Sequence, residues 1–267
     1  MVPPGKHLVS PRRERIFDVP LAVLLTAAAL GFVHLIIAPL TEAEWREVLY
    51  IFAFIPARYD WSVLTVEPWW IGWGAAVWTF VTYAFIHGNL GHLFFNLVWL
   101  LAFGTPVARR FGSLRFAIFF VLTAFAGAGV HLAVHFDENL PVIGASAAIS
   151  GAMAAAMRFV FQRGGPLATL RGGDTATYRV PAVPLSRLLR DPRVLAFLLV
   201  WLGLNLLFGK MSTAMPGMGQ SIAWEAHIGG FLAGLFGFSA FDPVRPSTET
   251  HQHATDESEF ISENDKP

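Results

Sequence analysis

Long runs of apolar residues, separated by short charged segments, are the feature that most restricts how this chain can fold. Residues 19–40 contain no Asp, Glu, Lys or Arg, and a helix needs only ~20 such residues to cross a hydrocarbon core. Charged residues make up 14% of the sequence, whereas soluble domains carry about 25%. An all-α membrane protein is therefore predicted, with six transmembrane spans at 19–40, 91–108, 116–135, 145–161, 194–209 and 221–240.

The distribution of basic residues predicts how these spans are oriented. With six spans, 16 of the 19 Lys and Arg residues fall on one side, which the positive-inside rule assigns to the cytoplasm. The Trp-rich stretch 69–86 is a seventh candidate span, but using it would place the ten basic residues of 109–193 outside. We therefore expect both termini to be cytoplasmic and 41–90 to be a long external loop in the membrane interface. Four tryptophans are expected to anchor this loop among the lipid headgroups: Trp69, Trp70, Trp73 and Trp78.

Composition divides the chain into three parts. Residues 1–18 form a basic cytoplasmic segment, 19–240 form the six-helix membrane domain, and the polar, acidic residues 241–267 form a cytoplasmic tail that we expect to be disordered. The first apolar run is longer than the ~7–15 residues typical of a cleaved signal peptide. We therefore expect it to be retained as the first span.

Four polar side chains lie in the outer halves of spans 2, 4 and 6. Polar groups are costly inside a membrane and usually face the interior of a helix bundle or a cavity. His92 and Asn96 are four residues apart in span 2 and so share one helix face. Ser146 begins span 4, and His227 lies in the outer half of span 6. We expect the four side chains to converge on one water-accessible cavity.

These residue types are suited to nucleophilic catalysis. A serine hydroxyl is a weak nucleophile unless a nearby base removes its proton. A neutral His227 can take the proton of Ser146 and then return it to a leaving amine. The oxyanion formed by attack needs fixed hydrogen-bond donors, which His92, Asn96 and the backbone N–H of Ser146 can supply. Gly144 allows a tight turn into the helix that Ser146 begins.

Small residues predict which helices pack closely. Gly151 lies on a face of small residues in span 4, and Gly230 and Gly234 form a GxxxG pair in span 6. Such faces let helix backbones approach within a membrane. We expect spans 4 and 6 to pack against each other through them.

Three segments, present in this order, resemble the rhomboid family of intramembrane serine proteases: His87-Gly88-Asn89-x-x-His92-x-x-x-Asn96, Gly144-Ala145-Ser146-Ala147-Ala148-Ile149-Ser150-Gly151 and Ala226-His227-Ile228-Gly229-Gly230. The resemblance covers roughly 19–240 and implies the six-span core of bacterial members.

The resemblance also implies roles for individual residues. It implies a Ser146–His227 dyad without a carboxylate as third member, an oxyanion hole lined by His92 and Asn96, and a structural role for His87 near the site. The implied substrates are transmembrane helices of single-span or polytopic proteins, cleaved near the outer face of the bilayer. The implied location is the bacterial cytoplasmic membrane.

The sequence departs from the family pattern near the nucleophile. Ala147 follows the serine where many members have Gly. Ser150 stands where some members have an aromatic residue beneath the histidine. The imidazole of His227 is therefore expected to need another support.

Two other functions are compatible with parts of this sequence. A non-catalytic rhomboid relative would bind membrane clients, but such relatives usually lack the serine or the histidine, and this chain has both. A transporter or channel would use the polar cavity, but the sequence contains no inverted repeat, and its polar groups lie in the outer halves of the spans only.

The sequence predicts no cofactor, no metal and no nucleic-acid partner. The formal net charge is +0, and His87 with His92 lacks a third ligand at zinc spacing. Glu225 is two residues from His227, on a different face of the helix, so it is not expected to orient that ring. We expect it to meet water or a loop, and we expect His131 and His135 to lie at the outer interface.

Overall fold

The computed structural model describes residues 19–66, 68–167, 175–214 and 223–244. Within these ranges the chain is helical, apart from turns and one isolated antiparallel bridge between Phe54 and Val142. The N-terminal segment 1–18 and the tail from residue 245 onward lie outside the described residues.

The described ranges contain eleven α-helices. In chain order they are α1 (Leu21–Ile37), α2 (Glu42–Phe52), α3 (Trp61–Val66), α4 (Ala75–Thr82), α5 (Leu90–Trp99), α6 (Thr105–Phe111), α7 (Ser113–Val134), α8 (Ser146–Met157), α9 (Leu185–Leu188), α10 (Pro192–Ala214) and α11 (Trp224–Phe241). A π turn at Leu100–Gly104 joins α5 to α6, which makes one helix of 22 residues. Each of the six predicted spans therefore contains a helix.

Three of these helices are long and apolar enough to cross a membrane by length and composition: Leu90–Phe111, Ser113–Val134 and Pro192–Lys210. Two shorter apolar helices, α1 and α8, accompany them. Large apolar side chains point outward from the bundle, with Leu35 and Leu199 more than 70% exposed. Exposed apolar surface on this scale suits a lipid environment rather than water.

Helix α8 is shorter than the predicted span 145–161, because it ends at Met157. The guanidinium of Arg158 is buried and donates hydrogen bonds to the carbonyls of Val183, at 2.7 Å, and Leu235, at 3.3 Å. A buried guanidinium requires acceptors, and these lie on the segment before α9 and on α11. From Arg158 onward the chain continues in turns.

The segment 41–90 is folded into helices. Its first helix, α2, begins with a capping box in which Thr41 and Glu44 bond reciprocally, and these hydrogen bonds lower the pKa of Glu44 below its ordinary value. Of the four predicted anchors, Trp69, Trp70 and Trp73 are exposed. Trp78 differs, because its indole N–H donates to the carbonyl of Ile51 at 2.9 Å. That tryptophan holds α4 against the end of α2.

The most extensive helix contacts in the described part of the chain join α11 to α7 and to α8. Small residues make this possible. A Cβ atom on Gly230 would collide with the backbone of Ala147, and one on Gly234 would collide with the backbone of Gly151. The residues of α8 from Ala147 to Met157 are all buried. This central helix brings its N-terminal residue, Ser146, next to α11.

A buried ion pair lies at the C-terminal end of α11, the end away from His227. Arg110 donates two hydrogen bonds to the carboxylate of Asp242, each 2.8 Å long, and the two side chains are 0% and 8% exposed. Arg110 also donates to the carbonyls of Tyr178 and Val180. Since Phe241 ends α11 and Asp242 pairs with α6, these two residues belong to the helical domain rather than to the tail predicted from 241.

Candidate active site

Ser146 is the first residue of α8 and is partly exposed. The turn that precedes it contains Gly144, whose φ of 107° lies in the region that favours glycine. The backbone N–H of Gly144 donates to the carbonyl of Tyr83 at 2.9 Å, which fixes the turn to the end of α4. The serine hydroxyl is thus held at a helix N-terminus, where backbone N–H groups lack partners within the helix.

The structure brings Ser146 and His227 together across 81 residues of sequence. The Nε2 atom of His227 lies 2.7 Å from Oγ of Ser146, which is hydrogen-bond distance. His227 is in the first turns of α11, three residues before Gly230, the position at which α11 meets the backbone of α8. The close packing of these two helices therefore sets the distance between hydroxyl and imidazole.

Asn205 of α10 lies on the other side of the imidazole and was missed by the sequence analysis. Its Oδ1 atom is 2.6 Å from Nδ1 of His227, and its Nδ2 donates to the carbonyl of Trp201 at 2.7 Å. Because Nδ2 must donate to that carbonyl, Oδ1 is the atom that faces the ring. Nδ1 of His227 then carries the proton, and Nε2 is free to accept from Ser146.

Asn205 supplies the support that Ser150 cannot give to the imidazole. Ser150 is turned back along α8 and donates to the carbonyl of Ser146 at 2.8 Å. A signal for Asn205 was present in the sequence, because it is the single polar side chain between Val194 and Gly209. Such a residue in an apolar span is usually functional.

His92 and Asn96 lie on α5 beside the turn that leads to Ser146. A Cβ atom on Gly144 would be 2.5 Å from Nε2 of His92, so the imidazole fills the space that this glycine leaves open. Asn96 is buried, and its Nδ2 donates to the carbonyl of His92 at 2.9 Å. The structure thus brings His92 next to the turn before Ser146 and places Asn96 one turn further along the same helix.

His87 is almost completely buried at 1% exposure. Its ring packs edge-to-face on that of His92, with 4.9 Å between centroids, and its carbonyl lies 3.2 Å from Nδ1 of His34 on α1. His34 is itself buried, so this is a polar contact in the interior of the bundle. His87 therefore joins α1 to the segment that carries His92.

A sequence model of the Rhomboid domain matches residues 74–240, which include Ser146, His227, Asn205, His92 and Asn96. This match covers more than half of the chain. The chain belongs to the rhomboid family. This rhomboid is accordingly an integral membrane protein with a helical fold.

Relatives of this rhomboid include two proteins named Rhomboid protease GlpG, from Yersinia pestis (strain Pestoides F) and Yersinia enterocolitica serotype O:8 / biotype 1B (strain NCTC 13174 / 8081). Each is 26% identical to this chain, over 221 and 223 residues respectively. The alignments cover 80% of this chain and 66% of each relative, so the chain spans just under two thirds of their length.

Glu225 of this rhomboid does not face His227. Its carboxylate lies 3.7 Å from Nδ1 of His131 and 3.0 Å from Nε2 of His135, at the end of α7. Glu225 meets the loop after α7 through His135, as expected, and it also meets the last turn of α7 through His131, whose exposure is 5%. The sequence alone does not indicate this group, because about ninety residues separate His135 from Glu225.

Proposed function

We propose that this rhomboid is an intramembrane serine endopeptidase in which Ser146 is the nucleophile and His227 is the general base. The observation that carries the proposal is the 2.7 Å separation between Nε2 of His227 and Oγ of Ser146. Asn205 supports it, since its contact with Nδ1 leaves the Nε2 lone pair available to take the serine proton. No carboxylate and no cofactor is needed for this dyad.

The proposed reaction follows from the positions of these groups. Ser146 Oγ attacks the scissile carbonyl carbon as His227 accepts its proton, and the resulting imidazolium protonates the leaving amine. Water then enters, His227 removes its proton, and the ester to Ser146 is hydrolysed. The backbone N–H of Ser146, together with His92 and Asn96, would donate hydrogen bonds to the oxyanion.

The proposed substrates are transmembrane helices of single-span or polytopic membrane proteins, cut near the outer face of a bacterial cytoplasmic membrane. The length of α8 supports this depth. A helix of 12 residues is about 18 Å long, at ~1.5 Å per residue, whereas the hydrocarbon core is about 30 Å thick. With Met157 toward the cytoplasm, Ser146 would lie below the outer surface of the core, within reach of an unwound substrate helix.

Fluorophosphonate labelling of the purified full-length protein in detergent tests the dyad without knowledge of the substrate. We expect the wild type to be labelled, and Ser146→Ala and His227→Ala to be unlabelled. Ser150→Ala is the matched control, because it removes a hydroxyl one turn along the same helix and should leave labelling intact. Equal labelling of Ser146→Ala and wild type would reject the assignment. A folded wild type that is never labelled would instead favour the non-catalytic, client-binding alternative.

A further inference from the structure

A second cluster of titratable side chains lies apart from the Ser146–His227 pair. The cluster consists of His131 in the last turn of α7, His135 just after that helix, and Glu225 in the first turn of α11, each of which offers one nitrogen or oxygen atom as a ligand. These ligand atoms all lie within 4.8 Å of one another. We propose that this cluster is a binding site for a single divalent transition-metal ion of the zinc type.

The distances suit such an ion. Two ligands on one tetrahedral zinc are about 3.3 Å apart when each zinc–ligand bond is about 2.0–2.1 Å. Nε2 of His135 is 3.0 Å from Glu225 Oε1, and Nδ1 of His131 is 3.7 Å from Glu225 Oε2. Small rotations of these side chains would bring all three onto one ion. Two imidazoles and one carboxylate form a known set of zinc ligands that leaves a fourth position for water.

The two histidine nitrogens of this cluster, Nδ1 of His131 and Nε2 of His135, are buried, and the His131 residue is 5% exposed. Neither makes a hydrogen bond of good geometry in the described structure, although the Glu225 carboxylate lies 3.7 Å and 3.0 Å away respectively. A buried polar atom whose hydrogen bond is not properly formed is costly. A cation placed between these nitrogens and the Glu225 carboxylate removes that cost, because it accepts all three lone pairs.

Glu138 accepts the hydrogen bond that a metal-binding histidine commonly donates through its other ring nitrogen. Its Oε2 atom lies 2.9 Å from Nδ1 of His135, so the ring donates its N–H there and presents Nε2 to the cluster. Carboxylate–histidine–metal arrangements fix the tautomer and orientation of the ligand ring in this way. The Glu138 backbone carbonyl also accepts from the N–H of Ala57 at 3.0 Å, which holds this loop in place.

The ligand types select the class of ion. Mg²⁺ and Ca²⁺ prefer sites made mainly of oxygen atoms, whereas imidazole nitrogen suits zinc and its first-row neighbours. Since His131 and His135 lie at the C-terminal end of α7 and Glu225 lies in the first turn of α11, the ion would link the ends of two helices that already pack together. The site is expected to stabilise the helix that carries His227, rather than to take part in the reaction.

Metal binding is measured on the full-length protein in detergent, purified without a histidine tag and stripped with a chelator. We expect one equivalent of Zn²⁺ after dialysis, measured by elemental analysis, and competition with a chromophoric chelator then gives the affinity. His135→Ala and Glu225→Gln should abolish stoichiometric uptake. Glu138→Gln should weaken the affinity for Zn²⁺ by about 10- to 100-fold, as the loss of a carboxylate that orients a ligand histidine typically does. The control is His251→Ala with His253→Ala, which should keep one equivalent and so exclude the tail histidines.

Thermal unfolding separates loss of the site from loss of the fold. In the presence of chelator, Glu225→Gln should unfold within a few degrees of the wild type, and Zn²⁺ should raise the Tm of the wild type alone. The proposal is overturned if the wild type takes up no Zn²⁺, or if uptake and the Tm shift are the same in wild type, His135→Ala and Glu225→Gln. If the histidines only form ion pairs or hydrogen bonds with Glu225, the wild type should take up no Zn²⁺.

Discussion

Asn205 and Ser146 hold the imidazole of His227 from opposite sides, at 2.6 Å from Nδ1 and 2.7 Å from Nε2 respectively. Three helices therefore meet at one ring: α8 through the serine, α10 through the asparagine and α11 through the histidine itself. The amide of Asn205 is in turn fixed by the carbonyl of Trp201, four residues earlier on α10. The orientation of the ring thus depends on α10, which also packs on α11 by stacking Trp201 on Phe231, with 4.3 Å between ring centroids.

Replacing Asn205 tests whether this contact positions the base. Asn205→Ala should lower the rate of fluorophosphonate labelling by about 10- to 100-fold, since a correctly placed general base is worth about 10²–10⁴ in rate. Asn205→Asp keeps an acceptor for the Nδ1 proton and should retain much more activity than Asn205→Ala. The Tm should change little in either variant, because the residue is only partly buried. Labelling of Asn205→Ala at the wild-type rate would show that the asparagine does not position His227.

The helices and the serine–histidine pair could be predicted from the sequence, because each depends on local or compositional signals. The apolar runs predict the six helical segments, and the distribution of basic residues predicts how they are oriented. The segments around His92, Ser146 and His227 carry recognisable residue patterns. The position of Gly144 before Ser146 also follows from local chemistry, since the turn there needs a positive φ.

The remaining features depend on distances that no local pattern encodes. Asn205 was visible as a lone polar residue, but nothing in its neighbourhood indicates that it meets His227. The group formed by His131, His135 and Glu225 requires α7 and α11 to lie side by side. The burial of Arg158 just after α8 depends on carbonyls of two segments that are distant in sequence.

The contact between α8 and α11 should tolerate no added side chain at Gly230. A methyl group there would collide with the backbone of Ala147, so Gly230→Ala should destabilise the protein by about 1–3 kcal/mol or more, as overpacking does. It should also reduce labelling, because the helices that carry Ser146 and His227 are forced apart. Gly237→Ala is the matched control on the same helix, since a Cβ atom added at Gly237 would have no neighbour within 4 Å. That variant should be neutral or stabilised by about 0.5–1 kcal/mol. Denaturation of both variants in detergent checks the difference, and equal stabilities would contradict the packing.

The Arg110–Asp242 pair should contribute strongly to stability. Asp242→Ala leaves the guanidinium of Arg110 buried without its carboxylate, which typically costs about 3–5 kcal/mol. The comparison is Arg193→Ala, which removes an ion pair to Asp191 whose arginine side chain is 57% exposed. Exposed pairs contribute about 0–1 kcal/mol, so this second variant should unfold almost as the wild type does. If Asp242→Ala proved as stable as Arg193→Ala, the buried pair would not hold α6 to the end of α11.

The orientation of the helices can be tested directly because the chain contains no cysteine. Single cysteines are introduced at Glu47 in α2 and at Arg115 in the first turn of α7, both of which are exposed. If 41–90 is external and the segment before α7 is cytoplasmic, a membrane-impermeant maleimide should label Glu47→Cys in intact cells. It should label Arg115→Cys only after the membrane is permeabilised. The reverse pattern would place Ser146 toward the cytoplasm and would require substrates to be cut at the inner face instead. Labelling of both positions in intact cells would contradict the six-span arrangement, and it is the result expected if 69–86 crosses the membrane as a second span between the two sites.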